Sequence, residues 1–287
     1  MTTKSTFNIF ILSVLFLALI PKDSLSQLFK SNTELGFKGG VSYYTGDLNS
    51  DHFSSSNPAA SFIVRRNLDR RFSLKGEVGI MSIDADDRKS DNPIRLERGL
   101  HFRSQIQELS SQIEFNFLPF ETGSVLYNWT PFIFGGISLY NFNPQAENSN
   151  GQWVDLQPLG TEGQGTTAYP DRKKYSRTQI ALPMGGGVKY TLNDRLNIML
   201  SFSGRKTYTD YLDDVSTTYP GIPTEFDAAS IEMSDPTYSH SKDEQRGNDL
   251  EDDWYFYTGI SITFRPVSYT HLRAHETRGN LVCRLLL

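Results

Sequence analysis

The chain has 287 residues, a formal net charge of −5 and one cysteine, Cys283. It carries no block of basic residues, so nucleic acid is not an expected partner, and a single cysteine excludes an intrachain disulfide. Aromatic residues reach 13% although the chain is polar on average. That pairing suits a sheet with one wet face and one apolar face.

The N-terminus reads as an export signal. Lys4 precedes an apolar run from Phe7 to Pro21, and Ser24-Leu25-Ser26 offers small residues for cleavage before Gln27. Residues 1–26 are therefore expected to be a signal peptide. No cysteine lies near the cleavage site, so a lipid anchor is not expected there. Beyond it, no apolar stretch approaches the ~20 residues that a membrane helix requires.

Eight segments then alternate with the two-residue period of a strand. The first sets Leu35, Phe37, Val41 and Tyr43 against Gly36, Lys38, Gly40 and Ser42. The second sets Ala60, Phe62 and Val64 against Ser61 and Arg65. The third sets Phe72, Leu74, Val78 and Ile80 against Ser73, Lys75, Glu77 and Gly79. The fourth sets Ile113, Phe115 and Phe117 against Gln112, Glu114 and Asn116. The fifth, 131–140, is apolar on both faces around Gly135 and Gly136, and the sixth, 178–192, holds Pro183 and Gly185-Gly186-Gly187. In the seventh, Leu196, Ile198, Leu200 and Phe202 oppose Asn197, Met199, Ser201 and Ser203. In the eighth, Trp254, Phe256, Ile260, Ile262 and Phe264 oppose Tyr255, Tyr257, Gly259, Ser261 and Thr263. A glycine run inside a strand marks sharp curvature or a close backbone approach, which barrels need and flat sheets do not.

The connections alternate in length. Turns at 67–70, 120–128 and 192–195 are short, whereas 45–58, 82–103, 141–176 and 209–252 are long and polar. With eight strands, all the short connections fall at one end and all the long ones at the other. This is the pattern of a membrane barrel with short periplasmic turns and long extracellular loops. The expected fold is therefore all-β: an eight-stranded antiparallel up-and-down outer-membrane β-barrel over 27–267, in a Gram-negative outer membrane and bathed by its lipid. Tyr43, Tyr44, Tyr140, Tyr190, Tyr208, Trp254 and Tyr257 near strand ends are expected to form an interfacial girdle. Strand patterning stops near Pro266, so 268–287, which includes Cys283, is expected to be a non-native or disordered tail.

Periodicity alone leaves open which face is inner. An apolar face turned in would give a lipocalin-like barrel or sandwich; turned out, it gives a membrane barrel. Charges of both signs on the polar face favour the second: Lys38, Arg65, Lys75, Glu77, Glu114, Lys189, Arg205 and Arg265 fall there, and the first seven are expected to face the lumen. An eight-stranded lumen is filled by side chains, so function is sought on loops and rims. His52, His101 and His240 each fall in a loop without metal-ligand spacing. The acidic groups Asp84/Asp86/Asp87 and Asp210/Asp213/Asp214 lack the glycine and terminal glutamate of a Ca²⁺ loop. No catalytic residue, metal ligand, cofactor or small-molecule substrate is assigned, and an enzyme is not expected. Arg205, Lys206, Tyr208, Asp210, Tyr211, Asp213 and Asp214 are expected to form an ordered cap or partner surface. In it Tyr208 and Tyr211 pack on neighbouring loops, and Arg205 or Lys206 holds Asp213 or Asp214.

Certain motifs carry a family resemblance. They are Glu34-Leu35-Gly36 with Gly39-Gly40, Tyr43-Tyr44-Thr45-Gly46-Asp47-Leu48-Asn49, and Pro131-Phe132 with Gly135-Gly136. They continue in Pro158-Leu159-Gly160-Thr161-Glu162-Gly163-Gln164-Gly165 and in Leu182-Pro183 with Gly185-Gly186-Gly187-Val188-Lys189-Tyr190. The longest is Arg205-Lys206-Thr207-Tyr208-Thr209-Asp210-Tyr211-Leu212-Asp213-Asp214-Val215-Ser216. With these the chain resembles the PorG-like outer-membrane proteins of Bacteroidetes associated with the type IX secretion system. The resemblance implies a non-enzymatic accessory or scaffold of protein secretion, with periplasmic secretion-ring proteins as partners. The other reading is a surface-binding or adhesion barrel whose loops contact a ligand.

Overall fold

A computed structural model describes residues 31–266. Eight antiparallel strands build the barrel: β1 (Asn32–Thr45), β2 (Asn57–Asn67), β3 (Phe72–Asp86), β4 (His101–Asn116), β5 (Trp129–Asn141), β6 (Thr178–Thr191), β7 (Leu196–Lys206) and β8 (Trp254–Phe264). Each pairs with its neighbours in sequence, and β1 pairs with β8 from Leu35↔Phe264 to Thr45↔Trp254, which closes the sheet and removes its edges. The expected signal peptide and tail lie outside the described residues.

The short turns at 68–71 and 192–195 share one device. Asp69 Oδ1 accepts the N–H groups of Arg71 and Phe72 at 2.6 and 2.8 Å, and Asn193 Oδ1 accepts those of Arg195 and Leu196 at 2.9 and 3.0 Å. Such Asx turns reverse the chain using one side-chain oxygen. Turn 117–128 crosses the same end of the barrel, where Thr122 donates to Glu34 at 2.9 Å and accepts from Asn197 at 3.0 Å.

Burial alternates along every strand. In the half nearest the short turns the exterior is apolar: Phe37 is 71% exposed, Leu200 58% and Ile113 59%. Polar and charged side chains fill the interior. Midway the polarity changes sides without a break in the period. On β3 the inward row runs Ser73, Lys75, Glu77, Gly79, then Met81, Ile83, Ala85. The outward row runs Phe72, Leu74, Val78, Ile80, then Ser82, Asp84, Asp86. On the paired strand β4, Phe102 and Ile106 point in while Arg103, Gln105 and Gln107 point out. This swap corrects the expectation that 82–103 is a loop. The strands run on to Asp86 and from His101, because their upper part is an ordinary sheet with an apolar inside and a wet outside.

Strand parity corrects the expected aromatic girdle. Tyr44, Tyr140 and Tyr257 turn inward and join Phe102, Phe142, Ile83 and Tyr255 in an apolar core above the lumen. Tyr190, Tyr208 and Trp254 do face outward. Tyr43 faces outward too but is covered by the first long loop: its ring lies 4.6 Å from Phe53 and its hydroxyl 3.1 Å from His52 Nδ1.

The long connections are built structure. Segments 144–147 and 153–155 form a short hairpin that extends the sheet beside β4. Three short helices follow in chain order: α1 (Pro93–Arg98), α2 (Leu156–Leu159) and α3 (Ala228–Ser234). Asn92 and Asp227 cap α1 and α3 by accepting the N–H groups of Ile94 and Ser230.

Candidate functional site

In the lower lumen all seven residues read as lumen-facing are buried: Lys38, Arg65, Lys75, Glu77, Glu114, Lys189 and Arg205. Glu114 on β4 is the hub. Its carboxylate receives Arg65 Nε at 2.7 Å and Lys189 Nζ at 2.6 Å, with Lys75 Nζ at 3.7 Å. Arg65 also reaches Glu34 at 3.1 Å, and Lys75 reaches Glu77 at 3.1 Å. Glu34 takes further hydrogen bonds from Asn67 at 2.6 Å and Thr263 at 2.8 Å. Arg205 pairs with Glu108 at 3.0 Å, and the Tyr255 hydroxyl donates to the same carboxylate at 2.7 Å. Lys38 has no ion pair among the described residues; its ammonium lies 3.7 Å from the Tyr257 ring centroid.

Sequence reasoning missed Glu34 and Glu108, which share strand parity with Lys38 and Glu114. With them the lumen holds five cations and four carboxylates. Lys75 and Lys189 also lie 4.4 and 4.5 Å from the Phe134 and Phe132 ring centroids, so the apolar inner face of β5 serves the same network. Gly185 on β6 makes room for it, since a Cβ there would strike the Phe202 carbonyl and the Phe134 ring. A lumen packed in this way is a plug rather than a channel.

The upper end is closed by the long connections. The motif 205–216 lies there, but its partners differ from those expected. Arg205 is engaged below by Glu108, Lys206 and Tyr208 are exposed, and neither basic residue pairs with Asp213 or Asp214. The reason is strand parity. Arg205 is still within β7 and points into the lumen, and Lys206 points out. Tyr211 does pack on a neighbouring loop, stacked 4.9 Å from Tyr175.

The cation beside Glu162 and Asp214 is Arg246, which stands within the long polar connection 209–252. It donates to Glu162 at 3.0 Å and to the Asp214 carbonyl at 2.6 Å. Glu162 also accepts the N–H of Ser216 at 2.9 Å, the hydroxyl of Thr217 at 2.7 Å and that of Tyr211 at 3.2 Å. Asp214 accepts from Thr161 and from Tyr175, the latter at 2.7 Å. The segment 158–165 and the segment 205–216, two motifs that carried the resemblance, therefore interlock. A third, 43–49, joins them through the Tyr44 hydroxyl, which donates to Asp213. Arg98 ties in the second long connection, donating to Asp87 at 2.6 Å and to the carbonyls of Asp47 at 2.9 Å and Arg246 at 2.8 Å.

Carboxyl groups in this cap are displaced from their ordinary range. Burial pushes Asp213 up to about 8, and the nearby Asp47 charge adds to it. Burial likewise raises Asp210 to about 9 and Asp214 to about 6. Among the described residues no three Asp, Glu, His or Cys side chains converge to hold a metal ion. The three histidines stay apart: His52 meets Tyr43, His101, expected in a loop, opens β4 with its Nε2 accepting the Glu147 N–H at 2.9 Å, and His240 pairs with Asp235 at 3.0 Å. A cleft of about 310 Å³ opens between the connections, lined by residues including His101, Glu147, Glu232 and Tyr238, and reaches Asp213 and Arg246.

Solved barrels resemble this one in outline. Ail, the attachment invasion locus protein of Yersinia pestis, in complex with the heparin analogue sucrose octasulfate, is 8% identical with a TM-score of 0.40, covering 83% of this chain and 100% of its own. Neisserial surface protein A is 8% identical with a TM-score of 0.42 over the same shares. The outer-membrane protein OprG of Pseudomonas aeruginosa is 9% identical with a TM-score of 0.36, over 82% of this chain and 98% of its own. No curated protein sequence matches. Residues 10–158, which are 149 of the 287, match a domain of unknown function, DUF6089, and the chain belongs to that family.

Proposed function

We propose that this chain is a non-enzymatic outer-membrane β-barrel of a Gram-negative cell that acts through its outer cap rather than as a conduit. The observation that carries this reading is the inside-out lower half: an apolar exterior around a lumen filled by Glu114, Arg65, Lys75 and Lys189. Such a surface suits lipid, and such an interior leaves no path for solute. The finer role is an accessory or scaffold of type IX secretion, whose periplasmic secretion-ring proteins would meet the short-turn end of the barrel while the cap faces outward. Its support is the PorG-like resemblance, three of whose motifs meet in the cap. The alternative is a surface-binding or adhesion barrel, favoured by the cleft between the ordered connections.

Lys206→Ala and Tyr208→Ala test both readings, because these side chains are exposed and leave the cap's internal bonds untouched. The double variant should retain heat-modifiable folding in the outer membrane while cargo secretion falls. Normal secretion with reduced attachment to surface polysaccharide would favour the adhesion reading. A conductance typical of an open pore in planar bilayers would overturn both.

A further inference from the structure

Four aspartates meet at the outer mouth. Asp47 comes from the first long connection, Asp210 and Asp213 from the last, and Asp253 from the residue before β8. Asp213 and Asp253 are fully buried. Asp253 Oδ2 accepts the Leu212 N–H at 2.9 Å, but its Oδ1 has no hydrogen-bond partner among the described residues, and neither does Asp210 Oδ2. Asp253 feels the charges of Asp213, Asp210 and Asp47, and burial drives its carboxyl well above the usual range.

The groups facing this cluster offset its charge only in part: Arg98 favours the charged forms of Asp213 and Asp47, Arg246 that of Asp47, and the Asn248 N–H donates to Asp47 at 3.0 Å. Tyr44 of β1 donates its hydroxyl to Asp213. Arg98 of α1 spends its guanidinium on Asp87 and on carbonyl oxygens. Arg246 of the last connection is bonded to Glu162 of the third and to the Asp214 carbonyl. None of the four aspartates has an ion pair among the described residues, and the carboxyls do not converge closely enough to chelate a metal. A buried carboxylate with neither cation nor metal takes up a proton.

We propose that the cap is a proton-held lid: protons shared among Asp47, Asp210, Asp213 and Asp253 keep the first and last connections seated on the barrel mouth, and their loss releases both. The cleft beside Asp213 gives solvent a route to the cluster. The direction follows from linkage. The seated cap binds protons that an open cap gives up, so seating is strongest below about pH 4 and weakens as pH rises toward about 9. The unpartnered oxygens of Asp253 and Asp210 are the positions a proton would occupy.

Hydrogen exchange on the full chain refolded in lipid tests this, read at the amides of Leu212 and Val215, which donate to Asp253 and Asp213. After correction for the intrinsic pH dependence of exchange, opening should increase at least about tenfold between pH 6 and pH 8, with strand amides such as that of Ile260 unchanged. In the double variant Asp210→Asn and Asp213→Asn, whose carboxamides mimic neutral carboxyls, the dependence should largely flatten with the cap closed. pH-independent protection of the unaltered chain would overturn the proposal whether or not the variant folds. So would restoration of closure at pH 8 by millimolar Ca²⁺, which would make a cation rather than protons the neutralising agent.

Discussion

Glu114 and Asp213 are both fully buried carboxyl groups in the same barrel, and their surroundings are opposite. Glu114, in the lower lumen, has three cations within 4 Å. Asp213, in the cap, faces Asp47, Asp210 and Asp253 and receives a tyrosine hydroxyl. The difference follows from what each region must do. The lower lumen sits inside an apolar wall and holds its charges in ion pairs, all but that of Lys38, which lies over the Tyr257 ring. The cap borders water through its cleft and can neutralise charge by proton uptake. One region is therefore fixed by its covalent sequence, and the other by sequence and solution together.

The largest expected effect tests the fixed region. Glu114→Ala leaves Arg65, Lys75 and Lys189 buried without their common partner, at a cost of ~3–5 kcal/mol for the uncompensated charge. Urea unfolding in bilayers and loss of heat-modifiable migration measure it; a loss below 1 kcal/mol would show that the lumen is hydrated rather than packed. Next comes the wall. Leu200→Arg places a charge on the exposed apolar band and should cost ~2–4 kcal/mol. Gln105→Arg lies on the outward row of β4 above the polarity swap, and it should stay within about 0.5 kcal/mol. Equal costs, measured by assembly yield and urea midpoint, would mean that the swap on β3 and β4 does not mark a change of solvent.

Smaller effects belong to the cap. Glu162→Gln keeps the shape but weakens the bond to Arg246, and should loosen the cap by ~1–3 kcal/mol while barrel unfolding is unchanged. Limited proteolysis at 207–253 against strand stability separates the two; joint loss of both would merge the regions into one cooperative unit. Smallest of all, Tyr208→Ala alone should alter stability by no more than about 0.5 kcal/mol, since the ring is exposed.

Much of the lower half was legible because its two faces differ in polarity at every step. Leu196 to Phe202 and Trp254 to Phe264 announce both period and exposure. The upper parts of β3 and β4 were not, because the same period continues with the faces exchanged. From Met81 onward on β3 the apolar residues move inward, so a reading that follows apolar residues loses the strand. Glu108 was lost with it. The cap motif was visible as a motif, yet its pairing was not. Arg246 stands 32 residues from Asp214 in sequence, and nothing local couples them. Asp213 and Asp214 were expected to be held by Arg205 or Lys206, the basic residues near them in sequence. The burial of both aspartates depends on Tyr44, which β1 delivers, and on Thr161 and Tyr175, which the third long connection delivers.

The ring of ion pairs around Glu114 has a kinetic consequence. Its members stand on β2, β3, β4 and β6, and through Arg65 it reaches Glu34 on β1. Hairpins of adjacent strands can form one after another, but contacts that cross the lumen need the wall curved nearly to closure, and only then does β8 meet β1. Interactions that form after the folding barrier leave the folding rate almost untouched and slow unfolding instead. The charged plug would then act as a latch that sets how long the closed barrel lasts, and Glu114→Ala should shorten its lifetime far more than it delays assembly.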